Sequence, residues 1–201
     1  MSSEINKTDV SYFSKYYDTS SGAYYEYLVG DKEHYRLLTW LATRLESGSI
    51  VLDIGSNYGH SALALAQNPN IRVLSYDTED KRILFRDDYP NIAFHIQDAM
   101  TISDEVILSA KLIVFDTEHD GAVERRFFDK LVSLEYRGIV LFDDTRLNDG
   151  MREFWEHVTT ICTRESNYIS QDATNFAHFT GTGIVYFNPD AKILETLWEL
   201  S

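Results

Sequence analysis

Val51-Leu52-Asp53-Ile54-Gly55-Ser56-Asn57-Tyr58-Gly59-His60-Ser61 is the stretch on which the fold of this chain turns. An apolar run meets an acid, a Gly-x-x-x-Gly turn follows, and Ala62 to Ala66 can begin a helix. A buried parallel strand that ends in a glycine turn at a helix N-terminus forms a crevice at the carboxyl edge of a sheet. Glycine lets the backbone approach a ligand and adopt φ angles that other residues resist. The dinucleotide fingerprint requires Gly-x-Gly-x-x-Gly, which is not the spacing here. A Walker loop is excluded too, because no Gly-Lys-Ser/Thr follows.

The pattern repeats outward from this stretch. Strands are expected at 50–54, 72–76, 92–96, 111–115 and 138–142, with helices near 33–46 (closed by Gly48), 59–66, 80–88, 121–135 and 149–158. Two further strands, 176–179 and 183–187, flank Thr180-Gly181-Thr182 and predict a C-terminal antiparallel hairpin. The expected fold is α/β: a Rossmann-like, doubly wound, mostly parallel seven-stranded sheet with that hairpin and an N-terminal helical extension. The expected organisation is one domain over 1–201, with a helical segment at 1–47 and the core at 48–201. Residues 1–32 carry Tyr12, Phe13, Tyr16, Tyr17, Tyr24, Tyr25 and Tyr27. These rings either close over a site or pack on the domain.

Bulk properties narrow the function classes. Of 201 residues, 32 are acidic and 18 are Lys or Arg, a net charge of −14 that opposes nonspecific nucleic-acid binding. No stretch reaches the roughly 18 apolar residues of a membrane span, and no secretory signal is visible. The single Cys162 forms no internal disulfide and is expected in the core, on or beside a strand. Cytoplasmic residence is the expectation, with no nucleic-acid or membrane partner.

Acids fall at the strand ends: Asp53, Asp77, Asp98, Asp116 and Asp143. Any one of them can be a helix cap. Together they line the edge where α/β sheets bind ligands. Asp77 lies near the spacing at which an acid grips ribose hydroxyls, since a carboxylate accepts from both at once. A second constellation joins Asp116-Thr117-Glu118-His119-Asp120-Gly121 with Asp143-Asp144-Thr145. Three carboxylates at adjacent strand ends, Asp116, Asp143 and Asp144, can converge on a hard cation. His119 suits proton removal, as an unperturbed imidazole titrates near ~6.5. Glu118 competes for that role, and a capping role for His119 stays open. His60, His95, His157 and His178 show no partner pattern, His34 is expected on a helix, and none of the five is assigned chemistry.

The acid followed by glycines in Asp53, Gly55 and Gly59 resembles the first motif of class I S-adenosylmethionine (SAM) methyltransferases, with Asn57 in place of the usual middle glycine. The resemblance implies SAM contacts from Asp53, Gly55, Ser56, Asn57, Gly59, Ser61, Asp77, Asp98, Ala99 and Asp116. Asp77 would hold the ribose, and Asp98 and Ala99 would lie by the adenine. Asp116-x-Glu118 and Asp143-Asp144 resemble the metal-dependent O-methyltransferases, especially the branch acting on sugars. In that branch Mg²⁺ or Mn²⁺ sits beside the acceptor hydroxyl, implying Asp116, Asp143 and Asp144 as ligands and Glu118 or His119 as base. The resemblance covers about 50–158. The expected function is O-methylation of a small-molecule or glycan hydroxyl, for instance on a deoxyhexose such as rhamnose; a homo-oligomer and a part of a larger multidomain enzyme are both compatible with it. Rival readings are a catechol or phenol O-methyltransferase, a noncatalytic SAM-binding protein and a cephalosporin-hydroxylase-like enzyme. A haloacid-dehalogenase reading of Asp116-Thr117-Glu118 fails, because that motif belongs on the first strand.

Overall fold

The computed structural model describes residues 2–17, 23–30, 34–81, 83–176 and 179–189. The sheet begins where the apolar runs predict it. Strands β1 (Ile50–Ile54), β2 (Arg72–Asp77), β3 (Ile92–Ile96), β4 (Ala110–Phe115) and β5 (Gly138–Phe142) are parallel neighbours. β6 (Tyr168–Asp172) and β7 (Gly183–Phe187) close it as an antiparallel pair, β7 against β5. The order is β3-β2-β1-β4-β5-β7-β6, a seven-stranded doubly wound sheet. The winding reverses between β1 and β4, and open α/β sheets bind ligands outside the strand ends at such a switch point.

Alternation within each apolar run explains why the central strands have no polar face. Val51, Val73, Leu112 and Leu141 join one core, under helices α3 (Tyr35–Thr43) and α4 (His60–Leu65). Leu52, Leu74, Ile113 and Val140 join the other, which includes Phe127, Phe128 and Phe154. Those three side chains come from α6 (Ala122–Ser133) and α7 (Asp149–Arg164). A strand buried on both faces reads as a continuous hydrophobic run. Helices α1 (Ser2–Ile5), α2 (Ala23–Val29) and α5 (Asp104–Ser109) complete the described α-helices, with 3₁₀ turns at Ser11–Lys15, Ala99–Thr101 and Thr174–Phe176. No helix among the described residues is long and apolar enough to cross a membrane.

Several local expectations are corrected. The hairpin partner of β7 is β6, not 176–179. Phe176 ends a single 3₁₀ turn, Thr174–Phe176, and residues 177–178 lie outside the described set. Tyr-Ile-Ser-Gln-Asp has no apolar run because β6 is a half-buried edge strand. The expected helix at 80–88 is absent: 84–88 form turns that drop Phe85 into the core, and Arg82 is not described. Cys162 sits half-buried on α7, not on a strand. Its β-branched neighbours suggest a strand, but Phe154, Val158 and Ile161 recur at helical spacing and prevail. α3 ends at Arg44, so Gly48 (φ 84°) turns the chain into β1 rather than capping the helix.

Tyr12, Tyr16, Tyr17 and Tyr25 of the N-terminal segment pack on the domain, whereas Tyr27 is exposed. Phe13 is buried, Tyr12 Oη is 2.8 Å from Thr39 Oγ1, Tyr16 donates to Asp88, and Tyr17 Oη lies 2.7 Å from His60 Nε2. Tyr24 lies outside the residues whose side chains are described.

Candidate active site

The glycine turn after β1 is held against two neighbouring strand ends. Gly55 has φ 90°, and a Cβ there would stand 1.5 Å from the carbonyl oxygen of Asp116. Asn57, itself left-handed at φ 44°, donates its backbone N–H to Asp77 Oδ2 at 2.7 Å. Asp77 Oδ1 accepts from the N–H of Glu79 at 2.9 Å. The carboxylate of Asp77 is thereby aimed along the sheet edge, with lone pairs left for further donors. A cleft of about 310 Å³ opens there, bordered by Gly55, Asn57, Asp77, Ala99, Asp116 and His119. A second hollow of about 300 Å³ adjoins it and includes Ser56.

Asp53, Gly59 and Ser61 lie beneath this cleft rather than on its wall. Asp53 is buried and accepts from Ser75 Oγ at 2.7 Å. Burial pushes its carboxyl up to about 6, although hydrogen bonds from Ser61 and Ser75 pull the other way. Gly59 takes φ 81° as the N-cap of α4. Asp98 accepts from the N–H of Met100 at 2.8 Å, the capping role open to any strand-end acid.

At the other end of the cleft, acids and histidines interleave. His119 Nε2 is 3.2 Å from Asp116 Oδ1 and 3.6 Å from Asp144 Oδ2. His34 Nδ1 lies 3.1 Å from Asp143 Oδ2, with both side chains buried. Thr182 Oγ1 donates to Asp143 Oδ1 at 3.0 Å, and Thr180 Oγ1 donates to Asp144. Burial, and then the neighbouring Asp143 charge, push the Asp116 carboxyl up, while His119 opposes the shift. Burial draws the His119 imidazole down, but the Asp116 bond and the three surrounding acids outweigh it and raise it to about 9. Glu118 is exposed on the cleft wall, outside this cluster.

The ligand atoms of His34, Asp116 and Asp143 lie within 4.8 Å of one another. An imidazole and two carboxylates are a competent donor set for a divalent cation. Asp144 is instead held by Thr180 and His119. His34 carries no motif, standing in sequence only as the residue before α3.

Glu124 is the second site residue that sequence reasoning missed. Buried on the first turn of α6, it accepts from Thr117 Oγ1 at 3.0 Å, the His119 N–H at 3.0 Å and the Gly121 N–H at 2.9 Å. Asn148 Nδ2 donates to the His119 carbonyl at 2.7 Å. These bonds hold His119 at φ 56°, a strained conformation for its type. Gly121-x-x-Glu124 was the available clue, since an acid at the third helical position reaches back to the cap. Glu124→Ala is expected to destabilise the protein by about 3 kcal/mol, because it strips a charged acceptor from three donors. Urea unfolding measures this.

Asn57, His119 and Asp144 (φ 56°) are all left-handed non-glycine residues; Asn57 and His119 border the cleft, and Asp144 lies 3.6 Å from His119. Such strain persists only where the surroundings enforce it, and it gathers at functional sites. A cleft at the switch point, with Asp77 at one end and an acid–imidazole cluster at the other, is the candidate site on this sheet.

No family model matches the chain, and no curated protein sequence matches it. Solved structures do. An O-methyltransferase from Bacillus cereus in complex with SAH shares 16% identity at a TM-score of 0.55, covering 77% of this chain and 80% of that one. An rRNA methylase from Streptococcus thermophilus shares 12% identity at 0.56, covering 76% and 95%. The plantazolicin methyltransferase BpumL in complex with SAH shares 11% identity at 0.55, covering 92% and 95%. These neighbours are class I SAM-dependent methyltransferases, and at such identities the likeness is one of fold. The chain has the Rossmann-like methyltransferase fold.

Proposed function

We propose that this chain is a SAM-dependent methyltransferase that modifies a hydroxyl oxygen of a small-molecule or glycan acceptor, with a sugar hydroxyl as the favoured class. The observation that carries the reading is that one cleft joins the Gly55–Asn57 turn and Asp77 to Asp116 and His119, with Asp144 behind His119. The net charge of −14 weighs against an RNA acceptor.

When bound, SAM supplies an electrophilic methyl group that passes to the acceptor oxygen and leaves SAH, and a divalent cation would orient and acidify the acceptor hydroxyl. Asp77 accepts from ribose hydroxyls, and the Gly55–Asn57 turn approaches the donor closely. Ala99 keeps the cleft wall small near the purine. His119 Nε2 is the atom that takes the acceptor proton, with Asp116 and Asp144 stabilising the imidazolium that results. Those same acids keep His119 protonated in the free protein. Positive charge brought into the cluster lowers its pKa again, towards the range where base catalysis works. Glu118, exposed and outside the cluster, has no comparable partner to stabilise a transferred proton.

Calorimetric titration of SAH, followed by transfer of labelled methyl from SAM to glycosides and catechols with and without chelator, tests the reading. Micromolar SAH binding and glycoside labelling are expected. No binding of SAH or SAM under either condition would sink the methyltransferase reading. Labelling of catechols and not glycosides would overturn the acceptor class alone.

A further inference from the structure

His34 reaches the acid cluster from outside the strand-end loops that supply every other member. It is the residue immediately before α3, in the helical layer over one face of the sheet. Its side chain is 2% exposed and that of Asp143 5%, whereas Asp116 is 31% exposed where the group meets the cleft. Thr182 occupies Asp143 Oδ1 at 3.0 Å and so leaves Oδ2 turned towards the imidazole. Partners of this kind orient the ligands of metal sites. Metal–ligand bonds of about 2.0–2.2 Å place neighbouring donors roughly 3–4 Å apart. Donors already within 4.8 Å therefore need to contract by no more than about 1–2 Å.

We propose that the cation site of this protein is built from His34, Asp116 and Asp143, and that it takes a first-row transition ion such as Mn²⁺, Fe²⁺ or Zn²⁺ ahead of Mg²⁺. The inference rests on the metal-assisted form of the function proposed above; it changes the ligand set and ranks transition ions ahead of Mg²⁺. An imidazole from the helical layer stands where a third carboxylate would complete an all-oxygen site. Nitrogen donors favour the later first-row ions, whereas Mg²⁺ prefers oxygen and keeps its waters. Two carboxylates and one neutral imidazole also balance the charge of a dication, which three carboxylates exceed. Three protein donors leave coordination positions open towards the cleft, where an acceptor oxygen can enter. Asp144 stays with Thr180 and His119, beside the site rather than in it.

The test uses the chelator-treated 201-residue chain titrated with MnCl₂, ZnCl₂ and MgCl₂, together with electron spin-echo modulation of bound Mn²⁺, which detects a directly bound ¹⁴N. One site per chain is expected, at least about tenfold tighter for Mn²⁺ than for Mg²⁺, with ¹⁴N modulation in the wild type. His34→Gln should remove the modulation and weaken Mn²⁺ binding by at least about tenfold while SAH still binds. Mn²⁺ bound by the wild type without ¹⁴N modulation overturns the proposal, whatever the variant's folding. Modulation that survives His34→Gln but vanishes in His119→Gln overturns it too, as does Mg²⁺ binding as tightly as Mn²⁺. SAH binding with no metal binding overturns this inference and leaves the methyltransferase reading standing. Failure to bind SAH overturns that reading instead.

Discussion

Asp116→Asn is expected to lower methyl transfer at least about a thousandfold while SAH affinity changes by less than about tenfold. Asparagine keeps the shape of the side chain and removes its charge. The His119 imidazole then loses the carboxylate 3.2 Å from Nε2, and with it most of the stabilisation of a transferred proton. The cation site proposed at His34, Asp116 and Asp143 would lose one of its two anionic donors. Folding is not expected to suffer. A carboxyl pushed up by burial and by Asp143 makes the folded state less stable once it ionises, and the neutral amide removes that penalty. Single-turnover rates, SAH calorimetry and a thermal melt on one preparation separate these effects. A parallel collapse of SAH binding, or turnover within tenfold of wild type, would refute the role given to Asp116.

Gly55→Val is expected to bring SAH binding down at least about a hundredfold and to cost about 3 kcal/mol or more in stability. Any Cβ at this position meets the Asp116 carbonyl oxygen at 1.5 Å, which is backbone and cannot swing aside. The Asp116 N–H donates to the Ile54 carbonyl at 2.9 Å, so relieving the clash means parting β1 from β4 at the mouth of the cleft. Valine at φ 90° adds backbone strain to the overlap. Gly48 is the internal control. It has φ 84°, but nothing lies within 4 Å of the Cβ that would be added. Gly48→Ala should cost only about 1 kcal/mol and leave SAH binding as it was. Equal losses of binding in the two variants would show that strain anywhere, rather than the Gly55–Asp116 approach, controls the cleft.

The two variants probe opposite ends of what was legible in sequence. The Gly55 turn and the acids at the carboxyl ends of β1, β2, β4 and β5 could be placed from local pattern, because each sits where an apolar run stops. The pattern did not separate acids that face the cleft from acids that do other work. Asp77 and Asp116 border the cleft, Asp98 caps the turn that follows it, and Asp53 lies buried against Ser75. All four look alike in sequence, since the direction of a strand-end side chain depends on how the next loop leaves the sheet. The edge strand β6 was missed for a related reason. A half-buried strand of mixed composition carries little periodicity, and its partner β7 alone shows that it pairs.

Order along the chain follows from local physics. Apolar runs bounded by glycines and acids specify strands, helical spacing specifies the α segments, and their alternation leaves a doubly wound sheet as the economical packing. The composition of the cluster depends on contacts between residues remote in sequence. His34 meets Asp143 across two layers, Thr180 and Thr182 approach the acids because β7 runs back beside β5, and Glu124 folds over the loop that carries His119. Each is a short-range interaction, a hydrogen bond or ion pair that acts over a few ångströms. Such forces come into play only after the sheet and its two helical layers have closed.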